Sequence, residues 1–235
     1  MYETRSGVLP AFTEAQVVSR FMQRVYGWMA AGLLLTAFIA WQVASSQELL
    51  RVIVFNPPIF YGLIIAELAL VFGMSALSGR LSAMVIAGCF IVYSVLNGLT
   101  LSVIFLAYTM TSISQTFIIS AGMFGGMSVY GFITKRDLTS IGNFMIMGLW
   151  GIILASIVNL FFHSEPMAYL ISFLAVFIFL GLTAYDTQKL KRIALTAGDE
   201  ESESLMKVTI FGALTLYLDF INIFLHLLRL LGNRK

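Results

Sequence analysis

Two aspartates stand where the sequence around them is most apolar. Asp186 closes an apolar run in "GLTAYDTQKLKR", residues 181–192, just before a basic stretch. Asp219 lies deep inside a second run, "GALTLYLDFINIFLHLL", residues 212–228. Two carboxylates in contact in a low-dielectric place cannot easily both ionise, so they hold one proton between them. With that proton gone, they repel each other or recruit a cation. A hard ion such as calcium takes oxygen ligands of this kind. The chemistry on offer is proton sensing or cation handling. Asp186 also has a plainer reading, an ion pair with Lys189 three residues on at a wet helix end.

The residues around Asp219 follow a pattern. Gly212, Thr215, Asp219, Asn222, His226, Arg229 and Asn233 recur at alternating spacings of three and four. On a helix that is one continuous face, and the residues between them are nearly all Leu, Ile, Phe or Tyr. Such a stripe belongs toward a bundle interior or a water-filled cavity rather than lipid. Asn222 adds a carboxamide oxygen beside Asp219. His226 reads as a hydrogen-bonded histidine within the stripe, and His163 as a solvated loop residue. Glu67 is a further carboxylate within an apolar run, and Arg80 stands at the short turn that follows it.

These groups must be carried by membrane-spanning helices. The 235 residues are 59% hydrophobic and 11% charged, whereas a soluble domain carries roughly a quarter charged residues. A span needs about 20 mostly apolar residues. Seven candidates emerge: 25–45, 58–77, 82–106, 113–134, 143–162, 167–186 and 208–231. Residues 1–24 form a polar segment before them and 232–235 a short tail, so 1–235 reads as one integral membrane domain. The longest connection, 187–207, contains the acidic "AGDEESES" and is expected to be a loop. Small residues at helical spacing, Gly122 and Gly126, Ala121 and Gly125, then Gly148, Gly151 and Ala155, are expected where helices approach closely. The single cysteine, Cys89, excludes an intrachain disulfide. The net charge of +2 is too small and dispersed to suggest nucleic acid.

At a rise of 1.5 Å per residue, Asp219 lies roughly 16 Å into a span starting at Val208, and Asp186 roughly 0–6 Å from the same boundary. Spacing therefore allows the two carboxylates to meet without requiring it. Basic residues set the orientation. With the N-terminus cytoplasmic, the inner side collects Arg5, Arg20, Arg24, Arg80, Lys135, Arg136, Lys189, Lys191, Arg192 and Lys207. The outer side collects Arg51, Arg229, Arg234 and Lys235. The basic C-terminus dissents, and a re-entrant last segment would return it inside. Seven full spans are the favoured reading.

"LTAYDTQKLK" at 182–191, "GALTLYLDFINIFLHLLRLLGNR" at 212–234 and "TKRDL" at 134–138 resemble the bacterial branch of the Bax inhibitor family, the transmembrane Bax-inhibitor-motif or Lifeguard proteins. The resemblance runs from "VYGWM" at 25–29 to the C-terminus. It implies an all-α membrane protein, a seven-transmembrane-helix bundle with the seventh helix central, in the bacterial cytoplasmic (inner) membrane. It implies a pH-sensitive calcium leak, with calcium as the transported or bound ion and no cofactor required. Asp186 and Asp219 match the family's paired aspartates, the proposed pH sensor and a calcium site. Arg80 matches an arginine that latches onto the span-six aspartate when the pore is closed. Glu67 matches an acidic position lining the ion path, which Asn222 would share.

The alternative function is a non-conducting stress regulator that binds other membrane proteins or proteases. An enzyme has less support. Presenilin-type aspartyl proteases also carry Tyr-Asp in the sixth span, matched here by "AYD". Their second aspartate sits in Gly-x-Gly-Asp, however, where this chain has "LYLD", and no Pro-Ala-Leu follows.

Overall fold

The computed structural model describes residues 13–197 and 202–235. At the N-terminus, the backbone N–H of Thr13 donates to Gln16 Oε1 at 3.0 Å, half of a capping box that opens α1 (Glu14–Ser45). The helix thus starts well before Val25. Val18, Phe21, Met22, Val25 and Met29 are buried at helical spacing, so the core continues past the apolar window. A short α2 (Gln47–Ile53) follows, capped by Ser46. Pro57 and Pro58 then open α3 (Pro57–Leu77), where a missing N–H costs nothing. The third span is broken into α4 (Ala83–Leu101) and α5 (Ile104–Ala107). It is followed by α6 (Met110–Ile133), α7 (Thr139–Phe162), α8 (Glu165–Ala197) and α9 (Glu203–Leu231).

Counting α4 and α5 together, seven helices among the described residues are long and apolar enough to cross a membrane. The last of them is central. In its apolar stretch 67% of residues are buried, against 6% for α3 and for α7. It packs on α1, α4, α6 and α8, while α3 leans on α4 and α7 on α8. The reason is compositional: α9 alternates large apolar residues with small or polar ones, and Ala213, Leu216, Tyr217 and Ile223 are fully enclosed.

Two expectations change. The connection 187–207 is mostly helix, because α8 runs to Ala197 and α9 starts at Glu203. Apolar windows measure hydrocarbon thickness, whereas these helices extend beyond it as long as Leu190, Ala194 and Thr209 find burial. The acidic residues 198–201 of the expected loop lie outside the described residues. The small-residue stripe marks a helix contact at only one of its glycines, Gly148, where an added Cβ would press on Ile178 of α8. Around Gly122, Gly125, Gly126 and Gly151 an added Cβ would touch nothing, whereas at Gly131 it would overlap the Ala184 carbonyl and at Gly142 the Tyr185 ring. The closest approaches of α6 and α7 to α8 are therefore at their cytoplasm-proximal ends in the orientation expected above.

The C-terminus does not re-enter. Thr109 N–H donates to Asn233 O at 3.2 Å and Lys235 N–H to Ala107 O at 3.0 Å. Arg234 lies 3.9 Å from Glu165. These contacts hold the tail at the end of the bundle where α6 and α8 begin. At the opposite end, Gln188 Oε1 accepts from Leu138 N–H at 2.9 Å, and Glu203 Oε1 accepts from Ala83 N–H at 3.1 Å.

Candidate functional site

Asp186 and Asp219 line one cavity of about 770 Å³, enclosed by α7, α8 and α9 with Leu68 of α3 at its edge. They are electrostatic neighbours across it. Since α8 continues to Ala197, Asp186 sits about three turns inside its helix rather than at its end. That extension brings it level enough with Asp219 to share the space. Asp219 is 4% exposed, and its Oδ2 has no hydrogen-bond partner. A buried polar atom without a partner is rare and calls for an account.

The stripe on α9 faces this cavity: Thr215, Asp219, Asn222 and His226 all line it. Asn222 Nδ2 donates to Leu218 O at 2.8 Å, which turns the carboxamide along its own helix. His226 Nδ1 lies 3.2 Å from Ser172 Oγ, and its ring stacks on Phe179 at 6.3 Å. Lys189 reaches the cavity from the end where α8 finishes. Its ammonium is 6.0 Å from the Tyr185 ring centre, and it forms no ion pair with Asp186 among the described residues.

Two smaller cavities adjoin the main one. One of about 310 Å³ shares Ser156, Leu160 and His226 and continues to His163, Glu165 and Arg229. Another of about 390 Å³ shares Lys189 and continues to Arg192 and Ala197. The first continues the α7–α8–α9 seam toward the end of the bundle where α8 begins, whereas the second is lined by residues of α8 alone. His163 ends α7 in the left-handed conformation, φ 50°, consistent with a loop residue.

Arg80 and Glu67 are placed elsewhere. Arg80 is exposed in the turn after α3 and makes no ion pair with Asp186 among the described residues. The turn lies at the membrane end of the bundle, while Asp186 is turns deeper. Glu67 points to α4 instead of the aspartate cavity. Its carboxylate accepts from Thr100 Oγ1 at 2.8 Å and from Asn97 Nδ2 at 3.2 Å. Asn97 Oδ1 in turn accepts from the Tyr217 hydroxyl at 3.0 Å, and that hydroxyl stands 2.6 Å from Thr36 Oγ1. This second polar network crosses α3, α4, α9 and α1. Sequence reading passed over Thr36, Asn97, Thr100 and Tyr217. The available signal was Glu67 itself, because a carboxylate at that depth needs donors, and Asn97 and Thr100 offer them three residues apart.

The oxygen set at the main cavity suits a hard cation: two carboxylates and a carboxamide, with Thr215 Oγ1 donating to Phe211 O at 3.0 Å. Among the described residues no three His, Cys, Asp or Glu side chains cluster to hold a metal.

Comparison with known proteins adds lineage to this geometry. A family model described as "Inhibitor of apoptosis-promoting Bax1" matches residues 18–235. "Inner membrane protein YbhL" of Escherichia coli strain K12 is 52% identical over 215 residues, 92% of each chain. An uncharacterized protein of Borreliella burgdorferi is 44% identical over 222 residues, covering 94% of this chain and 95% of its own. An uncharacterized membrane protein of Streptococcus pyogenes serotype M1 is 38% identical over 225 residues, covering 94% and 96%.

Proposed function

The chain belongs to the Bax inhibitor family, and on that premise we propose that it is a pH-sensitive calcium leak channel gated by protonation of the Asp186–Asp219 pair. The observation that carries the reading is that both carboxylates line one sheltered cavity on the α7–α8–α9 seam. Charge repulsion and poor solvation oppose ionising both, so one proton rests on the pair. Losing that proton leaves two negative charges facing each other. A calcium ion or an arginine then becomes the favoured neighbour, and in the closed state Arg80 would supply that charge. The main cavity and its neighbour toward Glu165 and Arg229 support a route for the ion, with Asn222 contributing an oxygen beside Asp219. Glu67 takes part by holding α3 to α4 through Asn97 and Thr100, so movement of α3 requires those bonds to yield. The protein sits in the inner membrane of its bacterium with the N-terminus in the cytoplasm.

Calcium entry into proteoliposomes at several pH values tests this. Wild-type protein is expected to leak with a clear pH dependence, and Asp186→Asn or Asp219→Asn to flatten it. A profile unchanged in both variants removes the sensor role. A wild-type protein silent at every pH supports the non-conducting regulator instead, which a constant crosslinked partner would then identify.

A further inference from the structure

The aspartate cavity has a second opening, toward lipid. Leu68, Ile153, Ile157 and Leu160 line it and are themselves exposed on the outside of the bundle. They belong to α3 and α7, which lean on different neighbours and do not pack against each other. Between them lies an apolar slot whose floor is the carboxylate pair. At about 770 Å³, it lies within the roughly 300–1,000 Å³ range of small-molecule sites.

We propose that this cavity binds an amphiphile with a protonated amine, its alkyl chain lying in the slot between α3 and α7 and its ammonium on Asp219 and Asp186. Charge complementarity selects the head. Lys189 lines the cavity at the end where α8 finishes, on the Asp186 side and within its electrostatic reach, and Arg229 stands in the adjoining cavity. His226 is taken up by Ser172 and Phe179. Around Asp219 the other polar groups lining the space are Ser156, Thr215 and Asn222, and apart from Lys189 no Lys or Arg among the described residues lines it. A phosphate or sulfate head would meet two carboxylates against the one ammonium of Lys189. An ammonium has three donors, and Asp219 Oδ2 is a buried acceptor with none. The alkyl chain then covers apolar wall that neither α3 nor α7 covers. The inference rests on Asp186 and Asp219 being the working groups of this cavity, but not on conduction.

The test is equilibrium binding of tritiated dodecylamine to the full chain in calcium-free phosphatidylcholine nanodiscs, with partitioning into empty discs subtracted. Saturable binding near one amine per protein is expected, displaced by unlabelled dodecylamine but not by dodecyl sulfate or dodecanol. Ile153→Trp, which fills the slot, and Asp219→Asn, which removes the anion, are each expected to weaken binding at least ten-fold. Leu154→Trp faces lipid outside the cavity and is expected to bind as wild type does. Displacement by dodecyl sulfate on wild-type protein, or equal uptake by wild type and Ile153→Trp, means bulk partitioning and overturns the proposal. No ion gradient is involved, so the two readings fail separately. Protein that binds the amine without leaking calcium sinks the channel alone, and protein that leaks without binding sinks the amine site alone.

Discussion

The hydroxyls of Thr36 and Tyr217 stand 2.6 Å apart, joining the first span to the last. Tyr217 is fully buried and gives its one proton to Asn97 Oδ1 at 3.0 Å, so it accepts from Thr36, whose Oγ1 also lies 2.9 Å from Ser94 O. Phe90 and Tyr93 meet the Tyr217 ring edge-on, each at 5.8 Å. Tyr217 thus ties α1, α4 and α9 together, and through Asn97 it reaches Glu67 on α3.

Tyr217→Phe keeps the ring and removes the hydroxyl, leaving Asn97 Oδ1 and Thr36 without that partner. We expect a loss of about 1–2 kcal/mol in unfolding free energy, read from denaturant-induced unfolding in mixed micelles. Thr36→Val should cost less on the Tyr217→Phe background than on wild type, since the shared bond is already gone.

Gly131→Ala forces α6 off the Ala184 carbonyl. Backbone cannot step aside as a side-chain tip can, so we expect a loss of about 1–3 kcal/mol. Gly122→Ala and Gly125→Ala meet open space and are expected to be neutral or stabilising by up to about 1 kcal/mol. Thermal unfolding of the three purified variants decides between them.

Asp137 lies outside the spans, in the connection between α6 and α7. The hydroxyl and backbone N–H of Thr139 and then Arg192, 2.7 Å away, hold its carboxyl well below the usual carboxylate range. A depressed folded-state value means that this stabilisation is present above the unfolded value, about pH 3.9, and is lost as pH falls through the lower folded one. Asp137→Asn should therefore reduce the acid sensitivity of folding below about pH 4. Between pH 5 and 8 it should leave the shape of the stability curve unchanged. Chemical unfolding across pH reads both.

The tail contacts to Ala107 and Glu165 put the C-terminus at the opposite end from the α6–α7 connection. With the N-terminus cytoplasmic, alkaline phosphatase fused after Lys235 is expected to be active and a green fluorescent protein fusion dark. The reverse pattern would invert the whole bundle, and with it the side from which the seam is entered.

Composition and periodicity were enough to read the seven spans, the stripe on α9 and the carboxylates worth watching. Apolar length against hydrocarbon thickness, and three–four spacing on a helix, are local properties that survive without a fold. Helix ends were less legible, since α1 and α8 outrun their apolar windows wherever an amphipathic face still finds a neighbour. Only tertiary structure decided that Asp186 and Asp219 share a cavity, that Glu67 turns instead to Asn97 and Thr100, and that Gly131 rather than Gly122 marks a close approach. Each of those is a question of which helix stands beside which, and a side chain's partner across a bundle is set by the packing of all seven. The chain order carries the faces, and the packing assigns what each face meets.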